Sequence, residues 1–236
     1  MITEKERQRY RSEFSDHELF DCLSEDEQRA CFGQITFKRF LKGNTIFDMN
    51  DKRDFIYVVL DGLVKIERGD RAGIFQNYMY VTSKQIFPIG GMLQSEYYTV
   101  SSRAATLATV AKIPVELIEN LIKTHYEVSA YLFGQIDNIL NCSEVLRLRT
   151  VCSNTTTRIT QVLQYLSENL ADKHGENSLR IPYVITHEDI ATISGTRRET
   201  VGRVIQKLVL DGYIIRDSGM LIFESKFNKM NKIVLN

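Results

Sequence analysis

Three charged side chains near the carboxyl end of the chain have the chemistry needed to read DNA bases. Arg198, Glu199 and Arg203 all fall within residues 186–210. An arginine guanidinium can donate two hydrogen bonds to O6 and N7 of guanine, and a glutamate can accept one from N4 of cytosine. These side chains predict contacts to a half-site rich in G·C pairs. The alternative is a solvated helix surface on which Glu199 only caps a helix.

The residues around them have the pattern of a helix-turn-helix. Thr186 followed by Asp189 predicts the start of one helix, and Gly195 predicts a turn with a positive φ. Thr196 followed by Glu199 predicts a capping box at the start of the next helix. Its inward face is then formed by four apolar residues, Val201, Val204, Ile205 and Leu208. A helix-turn-helix places its second helix in the DNA major groove.

Four more side chains near predicted helix starts are expected to contact DNA phosphates: Thr156, Thr186, Arg197 and Thr200. Hydroxyl and guanidinium groups make such contacts in most protein–DNA complexes. The hydroxyls could equally serve only as helix caps. His187 could likewise touch a phosphate or simply be exposed.

The remaining carboxyl-terminal sequence fits a winged helix. Residues 156–170 are predicted to form an amphipathic helix that starts at Asn154, and residues 172–178 a polar loop. After the second helix, residues 213–216 and 220–223 predict the two strands of a hairpin, the wing. We expect a DNA-binding domain at residues 154–236.

Composition is that of an ordinary soluble protein. The chain has 236 residues, of which 43% are hydrophobic and 25% charged. This length has room for two domains. No apolar run reaches the length of a membrane span, and residues 1–14 lack the apolar core of a secretory signal. The sequence predicts a cytoplasmic protein without a membrane partner.

The net charge is zero, but the charges are unevenly distributed. From Arg147 onward there are 13 basic and 9 acidic residues, against 17 and 21 before it. The basic half is the half that carries the predicted DNA motif, although this asymmetry is modest.

The amino-terminal half is predicted to be rich in β-strands. Short β-branched and aromatic runs separated by turn signals occur at residues 35–37, 55–60, 63–66, 74–81 and 103–113. Asp61-Gly62 predicts a hairpin between two of them, and residues 68–73 a second turn. Residues 14–33 are predicted to be mostly helical, with Ser24 and Glu27 as a capping pair. We expect an antiparallel roll or barrel within a first domain at residues 1–125.

A long helix is predicted over residues 127–152, between roll and DNA motif. An apolar stripe with a spacing near 3.5 residues suits a two-stranded coiled coil, or a helix packed on its own domain. In a coiled coil, the dimer seam would be formed by Leu132, Ile136, Ile139, Cys142 and Leu146. The dimerisation helix and a hinge would occupy residues 126–153.

The sequence GTRRETVGR resembles the recognition region of the CRP/FNR family of bacterial transcription regulators. In that family the three base-reading positions correspond to Arg198, Glu199 and Arg203 of this chain. The resemblance implies an α+β fold: an antiparallel β-roll like the cyclic-nucleotide-binding jelly roll, a long dimerisation helix and a winged helix-turn-helix. It also implies a homodimer on a palindromic, TGTGA-like operator in double-stranded DNA, and RNA polymerase as a partner. The nearest branch would be the Firmicute regulators of arginine deiminase genes.

The resemblance fails at the nucleotide-binding cassette of the family. Members that bind cyclic AMP carry G-E-x-x-G followed by R-S-A or R-T-A, in which the arginine neutralises the phosphate. Here residues 87–93 have no acid after the first glycine, and the expected arginine and serine fall near Tyr98 and Thr99. Arg103 is expected to be structural. We predict no tight cyclic-nucleotide binding, the alternative being a nucleotide-responsive regulator.

No metal or cofactor site is predicted. Cys22, Cys31, Cys142 and Cys152 do not have the spacing of an iron–sulfur cluster, and the four histidines do not form a zinc pattern. Thiol-based redox sensing by Cys142 or Cys152 is the residual option. The sequence also lacks a phosphate-binding loop, a dinucleotide fingerprint and a nucleophile–base pair, so we expect no enzymatic activity and identify no small-molecule effector.

Overall fold

The computed structural model describes residues 3–69, 76–92 and 95–230. The chain divides into two compact units, Met1–Ile139 and Leu140–Asn236. The first is built on β-strands and the second mainly on helices.

Eight strands of the first unit form two four-stranded antiparallel sheets. The strands are β1 (Thr36–Phe40), β2 (Thr45–Phe47), β3 (Phe55–Asp61), β4 (Val64–Gly69), β5 (Gln76–Val81), β6 (Ile86–Phe87), β7 (Ser101–Ala104) and β8 (Ala108–Pro114). One sheet has the order β1-β8-β3-β6 and the other β2-β7-β4-β5. This arrangement is the antiparallel roll expected from the sequence. Residues 70–75, which include most of the second predicted turn, lie outside the described residues.

Two sequence predictions about strand pairing were wrong. Asp61-Gly62 does not close a hairpin, because β3 and β4 lie in different sheets. Residues 103–113, predicted as one strand, contain the end of β7, a crossover at residues 105–107 and most of β8, and these two strands lie in different sheets. At the first crossover Gly62 has φ 87°. A side chain there would overlap the carbonyl oxygen of Leu107, which lies in the second crossover.

Three helices and a short 3-10 turn (Glu18–Phe20) pack on the roll. The helices are α1 (Glu4–Ser15), α2 (Glu25–Gln34) and α3 (Val115–Thr124). Ser24 and Glu27 form the predicted capping box of α2. Phe14 of α1 is 1% exposed and lies in a core with residues of all three helices and of β3, β6 and β8. The helical prediction began only at Phe14, because α1 is mostly charged and buries few side chains.

The predicted long helix is confirmed as α4 (Tyr126–Thr150). The boundary between the two units falls within it, after Ile139. Val128 and Leu132 on its first half belong to the same core as Phe14.

The second unit is a winged helix. Its helices are α5 (Thr155–Leu170), α6 (His187–Ser194), α7 (Arg198–Leu210) and α8 (Ser225–Asn228); its strands are β9 (Asp172–His174), β10 (Ser178–Arg180), β11 (Ile214–Asp217) and β12 (Met220–Glu224). The strands form one antiparallel sheet in the order β11-β12-β10-β9. The predicted wing is the β11–β12 hairpin. The predicted polar loop at residues 172–178 is instead the short β9–β10 hairpin.

Candidate nucleic-acid interface

The two helices of the DNA motif are joined by the predicted glycine turn. Thr186 and Asp189 form a reciprocal capping box at the start of α6. Gly195 ends α6 with φ 58° and ψ 44°, a left-handed conformation that costs glycine little. The two helices can therefore pack closely across a short turn.

The start of α7 differs from the sequence prediction. Arg197, not Thr196, is the N-cap residue, and no side chain caps this helix end. Thr196 was predicted to cap it, but its Oγ1 lies 2.9 Å from Oγ of Ser194. The expected Thr196–Glu199 capping box is therefore absent and Glu199 does not act as a cap. Because the first amide N–H groups of the helix are left uncapped, they form an electropositive end suited to a phosphate.

The base-reading side chains lie on the solvent side of α7. The opposite face of α7 is buried through the four predicted residues, with Val201 at 0% and Ile205 at 1% exposure. This burial leaves the side chains of Arg198, Glu199 and Arg203 exposed. Within the described residues, none of these three side chains makes a hydrogen bond or an ion pair. Guanidinium and carboxylate groups that are not paired within the protein are free to bind base edges.

His187 and Arg216 form a contact beside this surface that the sequence did not predict. The Arg216 guanidinium, on β11 of the wing, lies 3.1 Å from Nε2 of His187, so that ring nitrogen accepts and the imidazole is neutral. Burial of the ring and then the positive charges of Arg216 and Arg198 hold the pKa of His187 below its ordinary value. The ring lies beside Gly202, where a Cβ atom would be 3.5 Å from Nδ1. The wing is thus fastened next to the exposed face of α7.

Arg158 of α5 is a second positioning residue that sequence reasoning missed. Its Nε donates to the carbonyl oxygen of Ser194 at 2.7 Å, and Nη1 donates to that of Cys152 at 2.9 Å. One guanidinium thus ties the end of α6 to the segment before α5. In the sequence, Arg158 is only an arginine near the start of an amphipathic helix. Such arginines are common on protein surfaces, so the sequence did not indicate its role.

The four predicted phosphate ligands have different environments. Arg197 is exposed and Thr200 is half-buried at the start of α7, and Thr156 is exposed in the first turn of α5. The hydroxyl of Thr186 donates to Oδ2 of Asp189 at 2.6 Å and accepts from its backbone N–H. Thr186 therefore serves as a helix cap, which was the alternative considered for it.

Aromatic side chains fill the interior of the roll. Phe47, Tyr57, Phe87 and Tyr98, called here the aromatic stack, are all at most 4% exposed. The Tyr98 ring lies 3.9 Å from Phe47, and the Tyr57 ring 5.4 Å from Phe87. The hydroxyl of Tyr98 donates to the carbonyl oxygen of Phe55 at 2.8 Å.

Arg103 is held by protein partners, as expected for a structural residue. Its Nε lies 3.2 Å from Oε2 of Glu67, and its Nη1 donates to Oγ1 of Thr45 at 2.9 Å. Asp48 lies 3.6 Å from its other terminal nitrogen. The carboxylates of Glu67 and Asp48 therefore compensate the positive charge of Arg103, which a bound phosphate would otherwise neutralise.

Comparison with known families assigns both parts of the chain. Residues 37–125 match the family model of the cyclic nucleotide-binding domain, and residues 157–225 match the Crp-like helix-turn-helix domain. The chain belongs to the CRP/FNR family. It is a helix-turn-helix transcription regulator and not an enzyme.

Curated relatives and solved structures agree with this membership. The HTH-type transcriptional regulator ArcR of Staphylococcus haemolyticus is 25% identical over 76% of this chain and 78% of its own length. FixK2 from Bradyrhizobium japonicum has a similar fold, with a TM-score of 0.71 and 16% identity over 85% of this chain and 99% of its own. A CRP/FNR-family regulator from Thermus thermophilus is 26% identical over 82% and 96%, with a TM-score of 0.59.

In this CRP/FNR regulator, α4 presents a different apolar face from the one predicted as the dimer seam. Leu132 is 5% exposed and lies in the core of its own unit, and Ile139 packs against that core. Cys142 directs its thiol toward Asn169, and Leu146 is half-buried. Of the predicted seam only Ile136 is exposed. The other four are partly or fully buried within the protomer, so the seam that we propose below uses Ile136 with its exposed neighbours.

Three exposed apolar residues lie on one face of α4 instead. Phe133 is 67% exposed, Ile136 37% and Leu140 61%. We call these three residues the α4 stripe. Large exposed apolar side chains grouped on one helix face are typical of an interaction surface.

The cysteines and acidic residues of the CRP/FNR regulator form no metal cluster within the described ranges. All four cysteines are free. Each helix within residues 3–69, 76–92 and 95–230 is too short or too polar to cross a bilayer.

Proposed function

We propose that the protein is a homodimer that binds a palindromic, TGTGA-like operator without cyclic AMP. The observation that carries this proposal is the exposed group of Arg198, Glu199 and Arg203 on α7, whose opposite face is buried. The two guanidinium groups suit guanine and the carboxylate suits cytosine, as a TGTGA half-site and its complement require.

Phosphate contacts would fix the register of α7 on the duplex. Arg197 is exposed at the uncapped end of this helix, and Thr200 lies in its first turn. Thr156 offers an exposed hydroxyl at the start of α5. Thr186 would contribute through its helix end rather than through its hydroxyl, since that group is engaged with Asp189.

The α4 stripe supports dimerisation. A palindromic operator requires a two-fold protein, and a second copy of α4 would cover Phe133, Ile136 and Leu140. Burying about half of three large apolar side chains contributes several kcal/mol at ~25 cal/mol per Å². The hinge at residues 152–155 would set the spacing of the two recognition helices.

The aromatic stack supports independence from cyclic nucleotides. A nucleotide inside the roll would have to displace buried rings such as Tyr98 and would find Arg103 already paired. The free dimer would then bind DNA unaided. Similarity to ArcR of Staphylococcus haemolyticus supports the proposed place among the Firmicute regulators. We also propose that the protein acts in the cytoplasm with RNA polymerase as a partner.

Fluorescence anisotropy tests the proposal directly. The full chain would be titrated onto a duplex with two inverted TGTGA half-sites centred about 10 bp apart. We expect binding at least ~1000-fold tighter than to a scrambled duplex, unchanged by cyclic AMP. Equal affinity for both duplexes, or binding that appears only with cyclic AMP, would contradict it.

A further inference from the structure

The amino-terminal unit contains a cleft apart from the aromatic stack. Its volume is about 1000 Å³, and it is lined by the segment before β3, by residues 95–96 and by the start of α3. We name it the Arg53 cleft. Its charged lining residues are Lys52, Arg53, Asp54, Glu96, Glu116 and Glu119.

Arg53 is a buried cation that lacks one acceptor. Its side chain is 5% exposed, and its Nε donates to the carbonyl oxygen of Ser95 at 2.8 Å. Nη2 lies 3.7 Å from Oε1 of Glu119, a loose ion pair. Among the described residues, Nη1 has no hydrogen-bond partner. A buried donor of a charged group left unpaired is unfavourable, so this lining residue favours a ligand with an anionic acceptor.

The start of α3 adds a second positive feature to the cleft. Pro114 is the N-cap residue and makes no side-chain cap, and both Pro114 and Val115 line the cleft. The Val115 N–H donates to the carbonyl oxygen of Asp54 at 3.0 Å, and the amide groups of the following residues give the helix start a partial positive charge. A carboxylate near Arg53 would benefit from both features.

The rest of the cleft favours a cation. Asp54 pairs with Lys52 at 3.3 Å and Glu119 lies near Arg53. The carboxylates of Glu96 and Glu116, both exposed at the surface of the cleft, remain. A simple anion would be repelled by these carboxylates, and a simple cation would leave Nη1 of Arg53 unpaired. Both requirements are met by a small molecule that carries one group of each sign.

We propose that the Arg53 cleft binds a zwitterion of the α-amino acid class. The ligand carboxylate accepts a hydrogen bond from the Arg53 guanidinium, and its ammonium group binds Glu96 and Glu116. The phenyl ring of Phe55 and the rings and methyl groups of Pro114 and Val115 supply apolar contact for the ligand side chain.

Calorimetric titration of the full chain tests this site. The probes are the individual proteinogenic amino acids, with the matched amides, which lack the carboxylate, and the matched 2-hydroxy acids, which lack the ammonium. We expect saturable binding of at least one amino acid. Its amide and its hydroxy acid should each bind with an affinity lower by about tenfold or more. Absence of saturable binding by every amino acid up to about 10 mM would overturn the proposal, as would equal binding of the hydroxy acid.

Variants connect the binding to the cleft. The double variant Glu96→Gln with Glu116→Gln should lower the affinity for the amino acid by about tenfold or more. Because both side chains are exposed, the fold should persist. Glu25→Gln, exposed on α2 of the same unit, should leave affinity unchanged. Wild-type affinity in the double variant would refute the site. Arg53→Lys should also bind more weakly, and operator binding measured on the same samples keeps this test separate from the proposed function.

Discussion

The ring of Tyr98 stacks on the ring of Phe47, with centroids 3.9 Å apart and planes inclined by 17°. The sequence resemblance predicts that Tyr98 lies near the position of the cassette arginine. In this chain the position carries a buried aromatic ring, so the roll interior is filled by its own side chains.

Truncation of Tyr98 should therefore be costly to stability. Tyr98→Ala removes a buried ring and should lower the free energy of unfolding by about 3–5 kcal/mol. Tyr98→Phe keeps the ring, loses the hydrogen bond to Phe55, and should cost only about 1 kcal/mol. Urea unfolding would measure both. Similar losses would mean that the hydroxyl, not the stacked ring, stabilises the roll.

The base-reading arginines should control both affinity and selectivity. Arg198→Ala or Arg203→Ala should each cost about 1–3 kcal/mol on the operator and relax the preference at one base pair. Lys173→Ala, exposed on β9 of the same unit, is the control and should change neither. Anisotropy titrations against operators with single base changes would show this. Unchanged selectivity in both arginine variants would remove these side chains from the base contacts.

The α4 stripe should control the oligomeric state. Phe133→Glu with Leu140→Glu places charges on both ends of the stripe and should convert a dimer into a monomer, because buried carboxylates are unfavourable. Asn138→Glu is the control, since this exposed residue lies on another side of α4. Light scattering after gel filtration would measure the mass. A dimeric double variant would place the seam elsewhere.

The crossover at Gly62 should tolerate no side chain. The methyl group of Gly62→Ala would overlap the carbonyl oxygen of Leu107 and lie 2.8 Å from Cα of Ala108. The φ of residue 62 is also positive, which favours glycine. We expect a loss of about 3 kcal/mol or more, or failure to fold. Gly175→Ala, also at positive φ but with open space around it, should cost only about 1–2 kcal/mol. Thermal unfolding would separate them, and equal losses would contradict the steric argument.

His17 should make the amino-terminal unit less stable in acid. This residue is 6% exposed, and burial holds the pKa of its imidazole below the ordinary value of about 6.5. The unfolded chain therefore binds a proton more readily than the folded chain does. The free energy of unfolding should be highest above about pH 6.5 and fall as the pH drops below it.

A substitution can isolate this contribution. The His17 ring contacts the carbonyl oxygen of Lys84 at 3.0 Å and accepts from the N–H of Leu19. His17→Gln should cost about 1–3 kcal/mol near neutral pH and reduce the loss of stability between about pH 6.5 and 5. His174→Gln, at an exposed site on β9, should keep the wild-type slope. Urea unfolding across this pH range is the measurement, and an unchanged slope in His17→Gln would contradict the assignment.

Local signals determined much of the helix-turn-helix. The cap at Thr186, the turn at Gly195 and the inward face of α7 depend on residues within one or two helical turns of each other. Such interactions can be inferred from spacing alone. The Thr196 prediction failed because the hydroxyl found a nearer partner in Ser194, a choice that depends on the exact turn geometry.

Tertiary structure decided the features that depend on distant residues. The chain changes sheets at Gly62, and that glycine is required by Leu107, which is remote in sequence. Spacing showed that α4 has apolar residues, but packing on the roll core decided that Leu132 is buried while Phe133 is exposed. The contacts of Arg216 and Arg158 and the unpaired nitrogen of Arg53 arise from folding as well. An amino-acid sequence carries local preferences directly, whereas the partner of a buried or charged group is known only once the chain has brought the two together.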